Sequence, residues 1–211
     1  MKLYRDAYWF SPYSFTAHVA LREKGIPFEN VELLYDDTGT ENPGYRRKSI
    51  MGRIPTIEHD GFWLTESAAI VDYLEEAFPA PKHGALLPRS IPDRARARMI
   101  LGWIRSDLMA LREERPTTTI FYTPATKPLS AAGREAADEL VRIAELLLPP
   151  GKTQLFAEWS IADTDLSFML QRLLANGHPV PNRIRDFAAA QWARPVVQEF
   201  VKHARPPAPT G

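Results

Sequence analysis

The sequence predicts an α/β domain with the element order βαβαββα, followed by a domain built only of helices. Short apolar runs typical of strands are interleaved with helical patterns in the first part of the chain. A proline-rich stretch, residues 80–92, then carries no periodic pattern and is typical of a linker. Beyond it every apolar pattern has helical spacing, and no strand pattern returns. We therefore expect domains at residues 1–79 and 93–205.

The first three elements form a strand, a helix and a second strand. Residues 2–6 are typical of a short strand, and residues 28–34 alternate between apolar and polar side chains. Between them, Ser11 followed by Pro12 predicts the start of a helix, with Ser as cap and Pro at the first helical position. Gly25 then ends that helix. This order is a βαβ unit.

The rest of the first domain is predicted to be a short helical segment, a hairpin and a helix. Residues 45–50 fit one or two irregular helical turns. Asp60-Gly61 separates two apolar runs, residues 56–58 and 62–64, which is a strong hairpin signal. A helix then runs from residue 65 or 66 to residue 78. The complete order is that of a thioredoxin-like fold.

The second domain is predicted to contain helices only. Their expected ranges are residues 93–115, 132–148, 161–175, 182–191 and 194–203. Ser160 and Asp163 have the spacing of a capping box at the start of the third of these helices. The proline-rich tail after Arg205 is expected to fray.

The composition narrows the classes of function. The 211 residues include 26 basic and 26 acidic side chains, so the charge does not favour nucleic acid or an anionic membrane as partner. The absence of Cys excludes disulfides, thiolate metal sites and a cysteine nucleophile. The five His residues lack ligand spacing, so we expect no metal. Without a signal sequence or an apolar run of roughly 18 residues, a cytoplasmic location is expected.

Three short motifs indicate a family. They are Ser11-Pro12-Tyr13-Ser14 between the first strand and helix, Arg53-Ile54-Pro55-Thr56 before the hairpin, and Glu66-Ser67 at the start of the third helix. In this order and spacing they resemble the cytosolic glutathione transferases, and the bacterial YfcF-like transferases most of all. The likeness covers roughly residues 2–201 and implies a homodimer that uses glutathione as co-substrate. It also implies attack of the glutathione thiol on a small hydrophobic electrophile or a peroxide.

Ser11 is the candidate catalytic residue. By resemblance it replaces the first thiol of a Cys-Pro-Tyr-Cys type of site and faces the glutathione sulfur. Lowering a thiol pKa by two units needs about 2.7 kcal/mol. A charge-assisted hydrogen bond supplies about 1.5–3 kcal/mol, and a helix N-terminus about 0.3–1 kcal/mol. Alternatively, Ser11 only caps the helix, and Ser14 and Tyr8 are rival hydroxyls.

The resemblance gives five further candidates, which would bind the glutathione peptide: Arg53, Ile54, Pro55, Glu66 and Ser67. An Ile54-Pro55 bond can be cis, as it is in the family, where the backbone of the residue at Ile54 pairs with the cysteinyl part of glutathione. Glu66 and Ser67 open a helix whose N-terminus suits the γ-glutamyl carboxylate. Arg53 would meet the glycyl carboxylate. The plain alternatives are a strand-initiating proline, a helix cap and a surface arginine.

The binding site for the second substrate has a weaker sequence signal than the glutathione site. Tyr8, Trp9, Phe10 and Trp103 are candidates for the electrophile site, although aromatic side chains of this kind are more often core residues. Isomerisation of a small diacid, as in zeta-type relatives, is a weaker hypothesis, because the serine–cysteine run of those relatives is absent here. A non-catalytic module that binds glutathione or another ligand is the alternative from a different class.

Overall fold

The computed structural model describes residues 1–208, and the last three residues of the proline-rich tail lie outside this range. The chain divides into two compact units. The first unit comprises Met1–Leu86 together with the described residues from Glu199 onward, and the second comprises Leu87–Gln198. Within residues 1–208, no helix combines the length and apolar character that crossing a membrane requires.

The first unit is a four-stranded mixed sheet with helices, which confirms the predicted thioredoxin-like fold. Its elements in chain order are β1 Lys2–Asp6, α1 Pro12–Glu23, β2 Glu29–Leu33, α2 Pro43–Ser49, β3 Thr56–His59, β4 Phe62–Thr65 and α3 Ser67–Ala77. The sheet has the order β2-β1-β3-β4. β1 runs parallel to β2 and antiparallel to β3, and β3 runs antiparallel to β4.

The strand register brings several chain segments to one end of the sheet. Asp6 at the end of β1 lies opposite Leu33 at the end of β2. Thr56, the first residue of β3, lies opposite Tyr4 on one side and Thr65, the last residue of β4, on the other. The segments after β1, before β3 and after β4 therefore meet at the same end, which we call the loop end of the sheet.

The core of the first unit includes a buried ion pair between two helices. α1 packs on α3, and Lys24, directly after α1, is 2% exposed. Its ammonium group donates to the Glu75 carboxylate of α3 at 2.6 Å and to the Phe78 carbonyl at 2.9 Å. The same carboxylate oxygen accepts from the backbone N–H of Leu86 at 3.0 Å. One buried group thus joins α1, α3 and the segment after α3.

The second unit is helical, as predicted. Its elements are α4 Ile91–Ser106, α5 Met109–Glu114, α6 Thr118–Phe121, α7 Ala131–Leu147, α8 Ile161–Leu174, α9 Asn182–Trp192 and the start of α10 Pro195–Val201. α8 contacts α4, α6, α7 and α9, and nearly all of its residues are buried. The predicted capping box is present: the Asp163 carboxylate accepts from the Ser160 N–H at 2.8 Å. Burial raises the pKa of this carboxyl to about 6.

The predicted single helix at residues 93–115 is instead two helices. Leu108 has a φ of 61° in the left-handed region, which separates α4 from α5. The Asp107 carboxylate accepts from the Leu108 N–H at 2.7 Å, a local bond that competes with helical pairing. The Leu108 side chain is 2% exposed, and its burial favours the interruption although left-handed leucine is uncommon.

Candidate functional site

Most of the predicted site residues lie at the loop end of the sheet. Ser11 ends the loop after β1, Ile54 and Pro55 precede β3, and Glu66 and Ser67 follow β4. Because the strand register aligns these three positions, residues separated by 56 positions in sequence meet in one region of the first unit. Trp103 belongs to α4 of the second unit and is half-buried.

Ser11 is the N-cap of α1. Its Oγ accepts from the backbone N–H of Ser14 at 3.3 Å, and Pro12 follows it at the first helical position. Since this bond uses only a lone pair of Oγ, the hydroxyl proton stays available to a second partner. Ser11 is 6% exposed, and the rival hydroxyl of Ser14 is fully buried without a hydrogen-bond partner among residues 1–208.

A buried ion pair lies beneath the loop that carries Ser11. The Asp6 carboxylate accepts from the backbone N–H groups of Phe10 at 2.9 Å and Ser11 at 3.4 Å. The Arg5 guanidinium lies 3.7 Å from that carboxylate, and both side chains are fully buried. Burial lowers the pKa of Arg5 to about 10, so the group stays cationic at neutral pH and offsets the charge of Asp6.

Trp9 lies inside the fold rather than at an open wall. Its side chain is 4% exposed, and its indole N–H donates to the Glu32 carboxylate at 2.5 Å. The Trp9 ring stacks on the His203 ring, with centroids 3.5 Å apart. The Arg5 guanidinium also contacts the Trp9 ring and lies 3.2 Å from its centroid. A ring so enclosed has no face for a second substrate, so we do not retain it in the electrophile site.

Tyr8 and Phe10 flank Trp9 and are arranged differently. Both are half-buried, and their rings stack with centroids 5.4 Å apart. Phe10 also stacks on the exposed Tyr35, with centroids 6.4 Å apart. This aromatic row, Tyr8, Phe10 and Tyr35, offers partly open apolar surface beside Ser11. Tyr35 had not been predicted from the sequence, because a tyrosine in a polar loop carries no spacing signal.

The turn before β3 contains a cis peptide bond between Ile54 and Pro55. Pairing of β3 with its neighbours begins at Thr56, so the backbone N–H and C=O of Ile54 lie outside both ladders. Arg53 is exposed, while its carbonyl accepts from the Tyr45 hydroxyl at 2.6 Å and from the Thr56 hydroxyl at 2.9 Å. The turn is therefore anchored through the carbonyl of Arg53.

A chain of hydroxyl groups supports this turn and was not predicted from the sequence. The hydroxyl oxygens of Tyr45 and Thr56 lie 2.9 Å apart and those of Thr56 and Thr65 lie 3.2 Å apart, while the Thr65 hydroxyl donates to the Ser49 carbonyl at 2.6 Å. The chain joins α2, the cis turn and the residue before Glu66. Its only sequence signal is a threonine at the end of one motif, Thr56, and another just before the next, Thr65, and a lone threonine is too common to interpret.

Glu66 and Ser67 form the start of α3. Glu66 has a φ of 74°, a conformation that costs a non-glycine residue about 1–3 kcal/mol and that clusters at ligand sites. Its side chain is exposed, and its carbonyl accepts the first helical bond, from Ile70 at 2.9 Å. Ser67 is 2% exposed. The N–H groups of the first turn of α3 suit an anionic group at this point.

The site offers backbone amides and hydroxyls rather than metal ligands. Across residues 1–208, no group of three or more His, Asp or Glu side chains is arranged to hold a metal ion. What the arrangement can do is bind a small peptide-like anion and hold a hydroxyl donor, Ser11, next to one of its groups.

Comparison with known proteins decides the family. The family model for the glutathione S-transferase C-terminal domain matches residues 90–205, and that for the N-terminal domain matches residues 7–82. The chain belongs to the glutathione S-transferase family. A glutathione transferase homologue from Burkholderia BGR1, solved with bound glutathione, is 38% identical, with a TM-score of 0.80 over 95% of this chain and 96% of that one.

Other relatives of this glutathione S-transferase family member are isomerases by name. Maleylacetoacetate isomerase of Dictyostelium discoideum is 36% identical over 50% of this chain and 48% of its own length. The enzyme of that name from Pseudomonas aeruginosa is 35% identical over 53% and 51%. The chain thus matches about half the length of these curated relatives. A maleyl pyruvate isomerase structure, 22% identical over 99% of this chain and 100% of that one, shares the fold with a TM-score of 0.75.

Proposed function

We propose that this protein is a glutathione transferase whose Ser11 activates the glutathione thiol. The observation that carries the proposal is the meeting, at the loop end of the sheet, of the Ser11 cap, the Ile54-Pro55 cis turn and the start of α3. Family membership and the glutathione-bound Burkholderia relative support it. The likeness to the YfcF-like subfamily remains part of this proposal.

Each part of glutathione has a proposed ligand. The backbone of Ile54, outside the ladders, pairs with the cysteinyl residue as an added strand would. The first turn of α3 and the Ser67 hydroxyl receive the γ-glutamyl carboxylate, while the Glu66 carboxylate attracts the ammonium. The exposed Arg53 guanidinium receives the glycyl carboxylate. In this register the sulfur is directed toward Ser11.

Thiol activation then follows from a hydrogen bond that the Ser11 hydroxyl donates to the glutathione sulfur. A hydroxyl donating to sulfur stabilises the thiolate over the thiol and lowers the thiol pKa. The N-terminus of α1, a helix of 12 residues, adds a partial positive charge at the same point. No protein thiol takes part, since the chain has no Cys.

The proposed reaction is conjugation of a small hydrophobic electrophile. The thiolate forms a carbon–sulfur bond, the leaving group departs with its electron pair, and the thiol proton passes to solvent. The aromatic row beside Ser11 supplies apolar surface for such a substrate. Trp103, on the second unit, stays a prediction. Reduction of a peroxide, in which two glutathiones become a disulfide, uses the same thiolate and is proposed as a side activity.

Isomerisation of a small diacid is the second candidate, favoured by the names of the two curated relatives above. Addition of the thiolate to a carbon–carbon double bond and its later elimination would use the same glutathione site. Conjugation stays the first candidate, because a second carboxylate on the substrate calls for a cation that the half-buried Tyr8 and Phe10 do not supply.

We also propose that the protein is cytoplasmic and forms a homodimer.

Glutathione binding tests the proposal against the non-catalytic alternatives. Glutathione at 100 times its Kd should add about 2.7 kcal/mol to the free energy of unfolding. We expect Ser67→Ala to weaken binding at least about tenfold, the loss of one hydrogen bond to a carboxylate. The matched control is Ser106→Ala, a helical serine of the second unit.

Turnover is the second test. Wild type should also conjugate glutathione to an activated chloronitrobenzene. Binding without any turnover of that probe, of a peroxide or of a maleyl diacid would favour a ligand-binding module.

A further inference from the structure

The end of the described chain packs against the loop that carries Ser11. Residues 199–208 belong to the first unit. Phe200 is fully buried and lies edge-on to Phe15 of α1, with ring centroids 5.1 Å apart. His203 stacks on Trp9, two residues before Ser11. The described segment after α10 is therefore part of the surroundings of the candidate active site.

Arg205 makes the closest link between this segment and the loop. Its Nε and Nη2 both donate to the backbone carbonyl of Trp9, at 3.1 and 2.9 Å. The same guanidinium donates to the carbonyls of Phe200 at 3.0 Å, Val201 at 2.7 Å and His203 at 3.1 Å. The planar Arg205 guanidinium, a rigid fork of N–H donors, thus links the backbone of the loop to the backbone at the end of α10. A lysine ammonium has neither the planar fork nor its five donors.

Three successive loop residues are held by these contacts. Arg205 binds the carbonyl of Trp9, and the Asp6 carboxylate accepts from the N–H groups of Phe10 and Ser11. Trp9 has a φ of 53°, which a bulky residue adopts only when its surroundings impose it. Without the fork, relaxation of Trp9 would turn the peptide plane that leads to Phe10 and shift the cap.

We propose that Arg205 is a positioning residue for Ser11, acting through the carbonyl of Trp9, so that the segment after α10 sets the thiol-activating power of the site. The proposal rests on the proposed function of Ser11. It assigns Arg205 no contact with glutathione.

The test compares Arg205→Gln and Arg205→Lys with wild type by titrating the thiol of bound glutathione. We expect both variants to raise the thiol pKa by about one unit, a tenfold loss of thiolate below the pKa. The Kd for glutathione, measured by calorimetry, should change less than threefold, because the ligands at Ile54 and Ser67 are untouched. The control is Arg134→Gln, which removes a guanidinium bond to the Leu129 carbonyl at 2.7 Å in the second unit.

Lysine separates positioning from charge. If the positive charge of Arg205 merely attracted the thiolate, Arg205→Lys would restore the wild-type pKa, and that result would overturn the proposal. An unchanged pKa in Arg205→Gln, with only a lower melting temperature, would overturn it as well, since the arginine would then be structural.

A readout without glutathione keeps the two proposals distinguishable. Amide hydrogen exchange at Phe10 and Ser11 should accelerate at least tenfold in both Arg205 variants and stay at the wild-type rate in Arg134→Gln. If wild type shows no lowered thiol pKa, the proposed role of Ser11 fails, while faster exchange would still place Arg205 as the support of the loop. Unchanged exchange in folded Arg205→Gln would contradict the positioning role whatever glutathione does.

Discussion

At the scale of single residues, the candidate site depends on polar groups held in an interior. Ser11 keeps its hydroxyl proton available because its cap bond uses a lone pair only. The fully buried Asp6 carboxylate accepts from the backbone N–H groups of Phe10 and Ser11. The equally buried Arg5 guanidinium lies beside that carboxylate. Charges so deep in a fold are stable only as pairs that also make further hydrogen bonds. This pair therefore supports the loop geometry, and neither member can be removed alone without exposing the other to an apolar interior.

His18 predicts how the stability depends on pH. The side chain is 1% exposed, and neither ring nitrogen has a hydrogen-bond partner within residues 1–208. Burial, followed by the charges of Arg5 and Arg22, lowers its pKa from 6.5 to about 3. Between these values the unfolded chain binds a proton that the folded chain does not. The free energy of unfolding therefore falls as the pH drops below about 6.5.

Denaturant unfolding at two pH values checks this expectation. From pH 7 to pH 5, His18 alone should remove about 2 kcal/mol from the free energy of unfolding. The variant His18→Leu, which cannot titrate, should lose about that much less than wild type over the same interval. If the free energy of unfolding fell equally in the two proteins, His18 would bind its proton as readily in the folded state as in the unfolded state.

At the scale of elements, the buried pair of Lys24 and Glu75 joins α1 to α3. Lys24→Met should lower the free energy of unfolding by about 3 kcal/mol, because it leaves the largely buried Glu75 carboxylate without its cation. Urea denaturation measures the loss. The control Lys82→Met, at an exposed position, should change stability by less than about 0.5 kcal/mol.

A second variant tests the reason for that loss. Adding Glu75→Gln to Lys24→Met removes the unpaired charge and keeps an acceptor for the Leu86 N–H. We expect the double variant to be more stable than Lys24→Met alone, since breaking a buried pair costs more than replacing it. A double variant that is less stable, by the sum of two independent losses, would mean that the pair contributes no coupling.

Elements with local signals could be predicted from the sequence, and the exceptions have physical reasons. Ser11-Pro12 and Asp60-Gly61 fix a helix start and a turn through their own backbone preferences, and both lie where predicted. The break at Leu108 could not be predicted, because leucine keeps the helical apolar spacing and rarely adopts a positive φ. The burial of its side chain, a property of the folded unit, favours the break together with the bond from its N–H to Asp107.

At the scale of the whole molecule, the three motifs of the site were visible because each is a local run of residues. The contact of Arg205 with Trp9 joins positions 196 residues apart, and no local pattern encodes such a pairing. For the same reason the sequence left both the electrophile site and the core open for Trp9, because the ring that covers it belongs to the distant His203. Sequence reasoning thus found the groups proposed to touch glutathione and missed those that hold them.

The proposed homodimer is a prediction at this scale. Sedimentation equilibrium at micromolar concentration should give twice the 23.9 kDa mass of one chain. The mass should not change on adding glutathione, because its proposed ligands all lie in one unit of one chain. A mass of 23.9 kDa that persists at high concentration would show that the chain works as a monomer.

The central claim, that Ser11 activates the thiol of bound glutathione, is tested most directly by thiolate absorbance near 240 nm as a function of pH. The matched control for Ser11→Ala is Ser90→Ala, because Ser90 also caps a helix that has proline in its first turn. Both variants should lose about 1 kcal/mol of stability. We expect a thiol pKa about two units below the ordinary 8.5 in wild type and Ser90→Ala, and a return toward 8.5 in Ser11→Ala. Bound glutathione with the same lowered pKa in Ser11→Ala would contradict the claim and assign activation to another group.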